Sequence, residues 1–199
     1  MRAKIGLFVA AIFVMAACAS CAARQQPDVR ADNDAFREMF TVVGEDLNVA
    51  FQVPTGWDVD LSRAARGEIR MSSPNMEAVF GLVFVETSRG TPETVAAALG
   101  QRWQAEAATD PQLAINGPQM VQMDGQELWV LIIDMVTNGV PMRTMHLIYT
   151  SSDQNHVIAA IGAWPSSTGD LYSGMLGTVA GSVLIVPDEV TTSEEQYRE

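Results

Sequence analysis

Few residues in this 199-residue chain have the types and spacing that chemistry needs. Its two histidines are His146 and His156. If they lie on strands joined by the 152–155 turn, facing residues have numbers summing to about 305–307. His146 then opposes a residue near 160 rather than His156. A two-histidine metal site is therefore not expected, and both rings are read as satisfied at the surface of their strands. Asp58 and Asp60 point to the same side of a short strand. Two carboxylates without further oxygen ligands make a poor cation site, and a solvated strand edge accounts for them. Met71, Met76, Met120, Met123, Met135, Met142 and Met145 fall in the strand-rich region, and thioethers can bind Cu(I). Most have apolar neighbours, and methionine is a common core filler. Cys18-x-x-Cys21 has redox or metal spacing, but it abuts a hydrophobic segment with no folded scaffold to tune a thiol. There is no Gly-x-Ser-x-Gly elbow, His-Glu-x-x-His, phosphate loop or dinucleotide fingerprint. No catalytic residue, metal site or cofactor is expected.

The elements around these residues are more legible. Residues 119–163 read as an antiparallel meander of four strands, 120–123, 127–137, 140–151 and 156–163. Asp124-Gly125 and Asn138-Gly139 suit two-residue type I′ turns, and residues 152–155 form a looser third turn. In the second strand Trp129, Leu131, Ile133 and Met135 alternate with Leu128, Val130, Ile132 and Val136. Both faces are apolar, so both need cover. Asp134 breaks one face, close enough to the turn to reach solvent.

Upstream, residues 35–43 fit either a helical stripe or an edge strand. Residues 47–53 alternate as a half-buried strand, and Pro54-Thr55-Gly56-Trp57 joins it to a second short strand. Trp57 is expected to plug the end of a core, with ligand stacking as the alternative. Residues 68–72 suit a third strand. Residues 76–86 suit a central one, with Phe80, Leu82 and Phe84 on one face and Val79, Val83 and Val85 on the other. Thr91-Pro92-Glu93 starts a helix, with Thr91 as N-cap, Pro92 at N1 and Glu93 at the positive end of the dipole. Val95, Leu99, Trp103 and Ala107 give it a stripe for one face of the sheet. A second helix is expected in 166–182, capped by Ser167 or Thr168. Its Gly174, Gly177 and Gly181 would allow close approach to the sheet. A short strand, 183–186, follows. The expected fold class is α+β: a central antiparallel sheet with helices on both faces, an α/β/α sandwich.

The N-terminus supplies an address. Basic Arg2 and Lys4, an apolar run over 5–17 and then small residues have the form of an export signal. That run is too short to span a bilayer stably. Met15-Ala16-Ala17-Cys18 resembles the lipobox of bacterial lipoproteins, with Met15 where leucine is usual. The resemblance implies cleavage before Cys18, a diacylglycerol on its thiol and an acyl group on its new amine. Cys21 is a second lipidation candidate. Cleavage by the general signal peptidase, at Ala17-Cys18-Ala19 or Ser20-Cys21-Ala22, is the alternative. In the enteric sorting rule, Ala after either cysteine implies delivery to the outer membrane, facing the periplasm. Residues 1–17 are thus read as a signal peptide, 18–34 as a lipidated N-terminus and flexible tether, 35–186 as one domain and 187–199 as an acidic, disordered tail. From Cys18 on, the chain carries ten basic and 24 acidic residues, a formal charge of −14. That repels nucleic acid and anionic lipid.

A strand ending in Pro-x-Gly-Trp, an amphipathic helix, a meander, an aromatic-ended strand (157–164) and a C-terminal helix running into Ser182-Val183-Leu184-Ile185 together resemble the PsbP-like superfamily, which includes DcrB-like lipoproteins. The resemblance covers about 47–186. It implies a non-enzymatic binding or assembly role, with an envelope protein or a small ligand as partner. It transfers no functional residues. A Cu-handling protein, or a hydrolase whose site is assembled from scattered residues, is the alternative.

Overall fold

The computed structural model describes residues 36–42, 48–123 and 125–186. Its strands are β1 (Phe36–Val42), β2 (Val49–Pro54), β3 (Asp58–Asp60), β4 (Glu68–Ser72), β5 (Val79–Glu86), β6 (Ala114–Met123), β7 (Gln126–Thr137), β8 (Val140–Thr150), β9 (His156–Pro165) and β10 (Leu184–Ile185). The helices are α1 (Pro92–Ala107) and α2 (Leu171–Gly181). Seven strands form an antiparallel sheet in the order β3-β4-β5-β9-β8-β7-β6, and β1-β2-β10 form a second sheet.

The expected meander is present. Asn138 and Gly139 have φ of 52° and 79°, the left-handed pair that a tight hairpin needs. Its alternation sorts side chains into two cores. Leu128, Val130, Leu147, Ile158 and Trp164 pack on one face with Phe51, Leu176 and Val179. Leu131, Ile133, Ile148 and Ile161 pack on the other with Leu99 and Trp103 of α1. Each face thus carries a helix, and the small sheet stands beside α2. Thr91 caps α1 and accepts from the Thr94 amide, while Thr94 closes the capping box in return. The buried stripe is Ala96, Leu99, Gly100 and Trp103. Among the described residues, no helix is long and apolar enough to cross a membrane.

Of the two readings left open for residues 35–43, the edge strand holds: β1 pairs with β2. Several expectations are corrected. β2 is not half-buried: as the middle strand of its sheet it buries Ala50 as well as Val49, Phe51 and Val53. The Pro-x-Gly-Trp turn therefore does not join two strands of one sheet. With Gly56 at φ 82° and the Trp57 amide donating to Pro54 at 3.1 Å, it carries the chain from the small sheet to the large one. β6 begins at Ala114 and runs through Pro118, which an edge strand tolerates at a register shift. Ser167 and Thr168 lie in a 3₁₀ turn, and α2 starts after Asp170, which gives no side-chain cap. Gly174, Gly177 and Gly181 face open space rather than the sheet, which α2 meets through Leu176, Val179 and Ala180.

Candidate functional site

Cys18 and Cys21, the lipidation candidates, lie outside the described residues, as do the signal peptide, the tether and the acidic tail. The register opposes His146 to Ile161 and His156 to Glu86, so the two histidines do not face each other, as their numbering implies. The surface reading of His146 is overturned. It is fully buried beneath α1, its ring 6.5 Å from that of Trp103, with no hydrogen-bond partner for either ring nitrogen. Burial pushes its pKa down to about 4, so the imidazole is neutral at pH 7.

His156 belongs to the β8–β9 turn. Its Nδ1 lies 3.1 Å from Asp153 Oδ2, and the Ser151 hydroxyl donates to Asp153 Oδ1. Burial opposes ionisation of Asp153. Hydrogen bonds from Ser151, the Asn155 amide and His156 outweigh it and hold the carboxyl below its ordinary range. The residue types are those of a catalytic triad, but the connectivity is not. The hydroxyl meets the carboxylate rather than the imidazole, and Ser151 is buried, so no base faces a nucleophile. This is turn chemistry.

Asp58 and Asp60 are exposed on the short edge strand β3. Asp60 accepts the Ser62 amide at 2.9 Å; that bond, then the Ser62 side chain, Arg70 and Arg63, hold it below its usual range. The methionines divide. Met71, Met135 and Met142 are buried, whereas Met76, Met120 and Met123 are exposed, and Met120 and Met123 leave opposite faces of β6. Asp134 reaches solvent in part but is also held by Arg143, its cross-strand neighbour, with Nε–Oδ1 2.8 Å and Nη2–Oδ2 3.2 Å. Among the described residues, no three His, Cys, Asp or Glu side chains gather to hold a metal ion. Trp57 plugs a core end, its ring tilted against that of Phe80 with centroids 4.6 Å apart and edge-on to Tyr172.

One concave feature is a groove of about 560 Å³ where the β6–β7 hairpin end of the large sheet faces the end of α2 and β10. Leu128, Leu147 and Tyr149 form its floor. Tyr149 is spent structurally: its hydroxyl donates to the Ala180 carbonyl at 2.5 Å, pinning the end of α2 over β8, and burial pushes the phenol up. The Gln126 side-chain amide nitrogen donates to the Thr150 carbonyl at 2.7 Å. Among the described lining residues only Glu127 is charged, and its side chain leaves the face of β7 opposite to Leu128. Met123 and Leu184, each 50% exposed, leave apolar surface at the mouth. Sequence reading missed this site because its walls come from strand ends, a helix end and β10, far apart in the chain. Leu128, Leu147 and Tyr149 carry an ordinary core pattern, and no local motif marks them.

No protein-family model matches the chain, and no curated protein matches it. Among solved structures, cyanobacterial PsbP (CyanoP) from Synechocystis sp. PCC 6803 is similar over 81% of this chain and 100% of its own, with TM-score 0.50 and 16% identity. The domain has the PsbP-like fold. LpqN of Mycobacterium tuberculosis, described as involved in cell envelope biogenesis, is similar over 75% of this chain and 91% of its own (TM-score 0.46, 18% identity). The Ran-binding protein Mog1p of Saccharomyces cerevisiae covers 76% and 97% (0.46, 10%). At these identities the PsbP-like likeness is one of fold alone.

Proposed function

We propose that this protein is a lipid-anchored module of the bacterial cell envelope that binds or helps assemble an envelope partner without catalysis. One observation carries the reading. An export signal ends in Met15-Ala16-Ala17-Cys18, the pattern of a lipidation site, and a polar tether then leads to a PsbP-like domain. Multiple acyl chains anchor firmly, since each buried CH₂ contributes about 0.8 kcal/mol. A polar segment of about ten residues is long enough to reach roughly 20 Å, which would hold the domain just off the bilayer. Residues after either cysteine favour the outer membrane, facing the periplasm. The groove offers a surface on which such a partner could rest.

The reading predicts that the wild-type protein fractionates with the outer membrane. Cys18→Ser should release it to the soluble periplasm, whereas Cys21→Ser should leave it membrane-bound. A wild-type protein that is soluble and cut by the general signal peptidase would overturn the anchor. A hydrolase or copper reading gains no support from the placement of Ser151, His146 or the methionines.

A further inference from the structure

The tip of the β7–β8 hairpin stands clear of the sheet. β6 pairs with β7 only as far as Asp134, and β9 pairs with β8 only as far as Met142. Among the described residues, no strand flanks 136–141. At about 3.3 Å per residue the tip projects roughly 10 Å. Residues 135–142 carry no charge, in a chain with 24 acidic residues. Val136 and Val140 are 40% and 37% exposed, and Pro141 is exposed beside them. Turns are ordinarily polar, because apolar side chains there gain nothing from the core. At the base of the tip, Asp134 and Arg143 neutralise each other. The hairpin thus ends in a short apolar cap above an internally cancelled ion pair.

The place where the chain enters the domain says what this cap meets. Register sets Ser72, Val79, Ala163, Thr144 and Ile133 level across five neighbouring strands. The hairpin tip and the 73–78 loop, with its exposed Met76, lie beyond that level at one pole. Phe36 pairs with Pro54, and a Cβ on Gly56 would lie 3.8 Å from Pro74 in that loop. The chain therefore enters the fold at the hairpin's pole. Val186 donates to the Asn48 carbonyl at the other end of β2. The 17 residues between Cys18 and Phe36 keep the entry pole within roughly 60 Å of an anchor at Cys18 even at full extension. Asp58, Glu77, Asp110 and Asp170 lie at the same pole and oppose an anionic surface.

We propose that this tip inserts Val136, Val140 and Pro141 into the interface of a zwitterionic bilayer, the membrane that holds the Cys18 anchor, and seats the domain on it by the entry pole. The proposal rests on the lipid-anchored reading and adds how the domain sits. Apolar groups at an interface bury to about 5–10 Å, a depth the overhang reaches. Two valines hold a free protein weakly. On an anchored chain the same contact is intramolecular, with an effective concentration on the order of millimolar.

The test uses the full mature, lipidated chain carrying Cys21→Ser, added to preformed vesicles of phosphatidylcholine and phosphatidylethanolamine. An NBD dye is attached to the Val140→Cys variant or, at the far pole, to the Met123→Cys variant. Dithionite stays in water, so it should bleach the dye at 140 about tenfold more slowly than the dye at 123. Adding Val136→Asp should bring the dye at 140 to the rate seen at 123, whereas Val136→Leu should keep it protected. Urea unfolding of both variants should match the parent, because the side chain lies outside both cores. Equal bleaching at 140 and 123, indifference to Val136→Asp, or protection that grows with added phosphatidylglycerol would each overturn the proposal. So would protection that follows protein density instead of lipid, since that assigns the tip to a protein contact. Flotation separates this failure from that of the anchor. A chain that floats with the vesicles yet bleaches equally at both positions keeps the anchor and loses the seat. A chain that does not float loses both.

Discussion

His146 lies between Leu131 and Ile161 in the ladder with Trp103 over it, so charging it means placing an imidazolium in an apolar layer. Its folded pKa, about 4, lies below its ordinary 6.5. The unfolded chain then takes up more protons as pH falls through that window. The stabilisation is complete above about pH 6.5 and is lost progressively down to about pH 4, a loss of roughly 3 kcal/mol. Urea unfolding at pH 7 and at pH 4.5 should show this drop in the wild type. His146→Leu should remove most of it, and an unchanged difference would contradict the account. Asp153 accepts from Ser151, Asn155 and His156 in the β8–β9 turn. Asp153→Ala should lower stability by about 1–2 kcal/mol in the same assay.

At the scale of elements, two glycines test how α2 and β9 are packed. A Cβ on Gly162 would meet Trp164 Cζ3 at 2.5 Å, with Leu176 and Phe80 at 3.1 Å, so the aromatic cluster needs that position bare. Gly162→Ala should cost about 1–3 kcal/mol. A Cβ on Gly177 would meet nothing within 4 Å, so Gly177→Ala should stabilise the helix by about 0.5–1 kcal/mol. A loss of stability there would mean that the glycines do meet a packed surface. Sequence spacing could not have told these cases apart: Gly174, Gly177 and Gly181 have helical spacing, but only tertiary placement says which side faces the sheet. Period-2 alternation made β7 and β9 legible, as did the Thr91-Pro92 signal for α1. What alternation does not encode is the assignment of strands to sheets. β2 and β3 are separated by a three-residue turn yet lie in different sheets, because that turn hands the chain from the small sheet to the large one instead of pairing its flanking strands. The groove was illegible for the same reason: Leu128, Tyr149 and Val183 meet only once β10 docks beside α2.

At the scale of the molecule, the large sheet is a middle layer with α1 on one face and α2 plus the small sheet on the other. Its interior is taken up by packing: the one fully buried histidine is a core residue, and the serine, aspartate and histidine of the β8–β9 turn hold a loop. Function is therefore argued from the groove and the lipidation signal at the periphery. A formal charge of −14 from Cys18 on repels anionic surfaces, so the proposed attachment draws on hydrocarbon rather than on charge. Mass spectrometry of the mature N-terminal peptide, from cells grown with and without globomycin, tests that central claim most directly. The account predicts a chain beginning at Cys18, carrying a diacylglycerol and an amide-linked acyl group, with the unprocessed precursor accumulating under the inhibitor. An untreated protein whose mature N-terminus bears no lipid would contradict it.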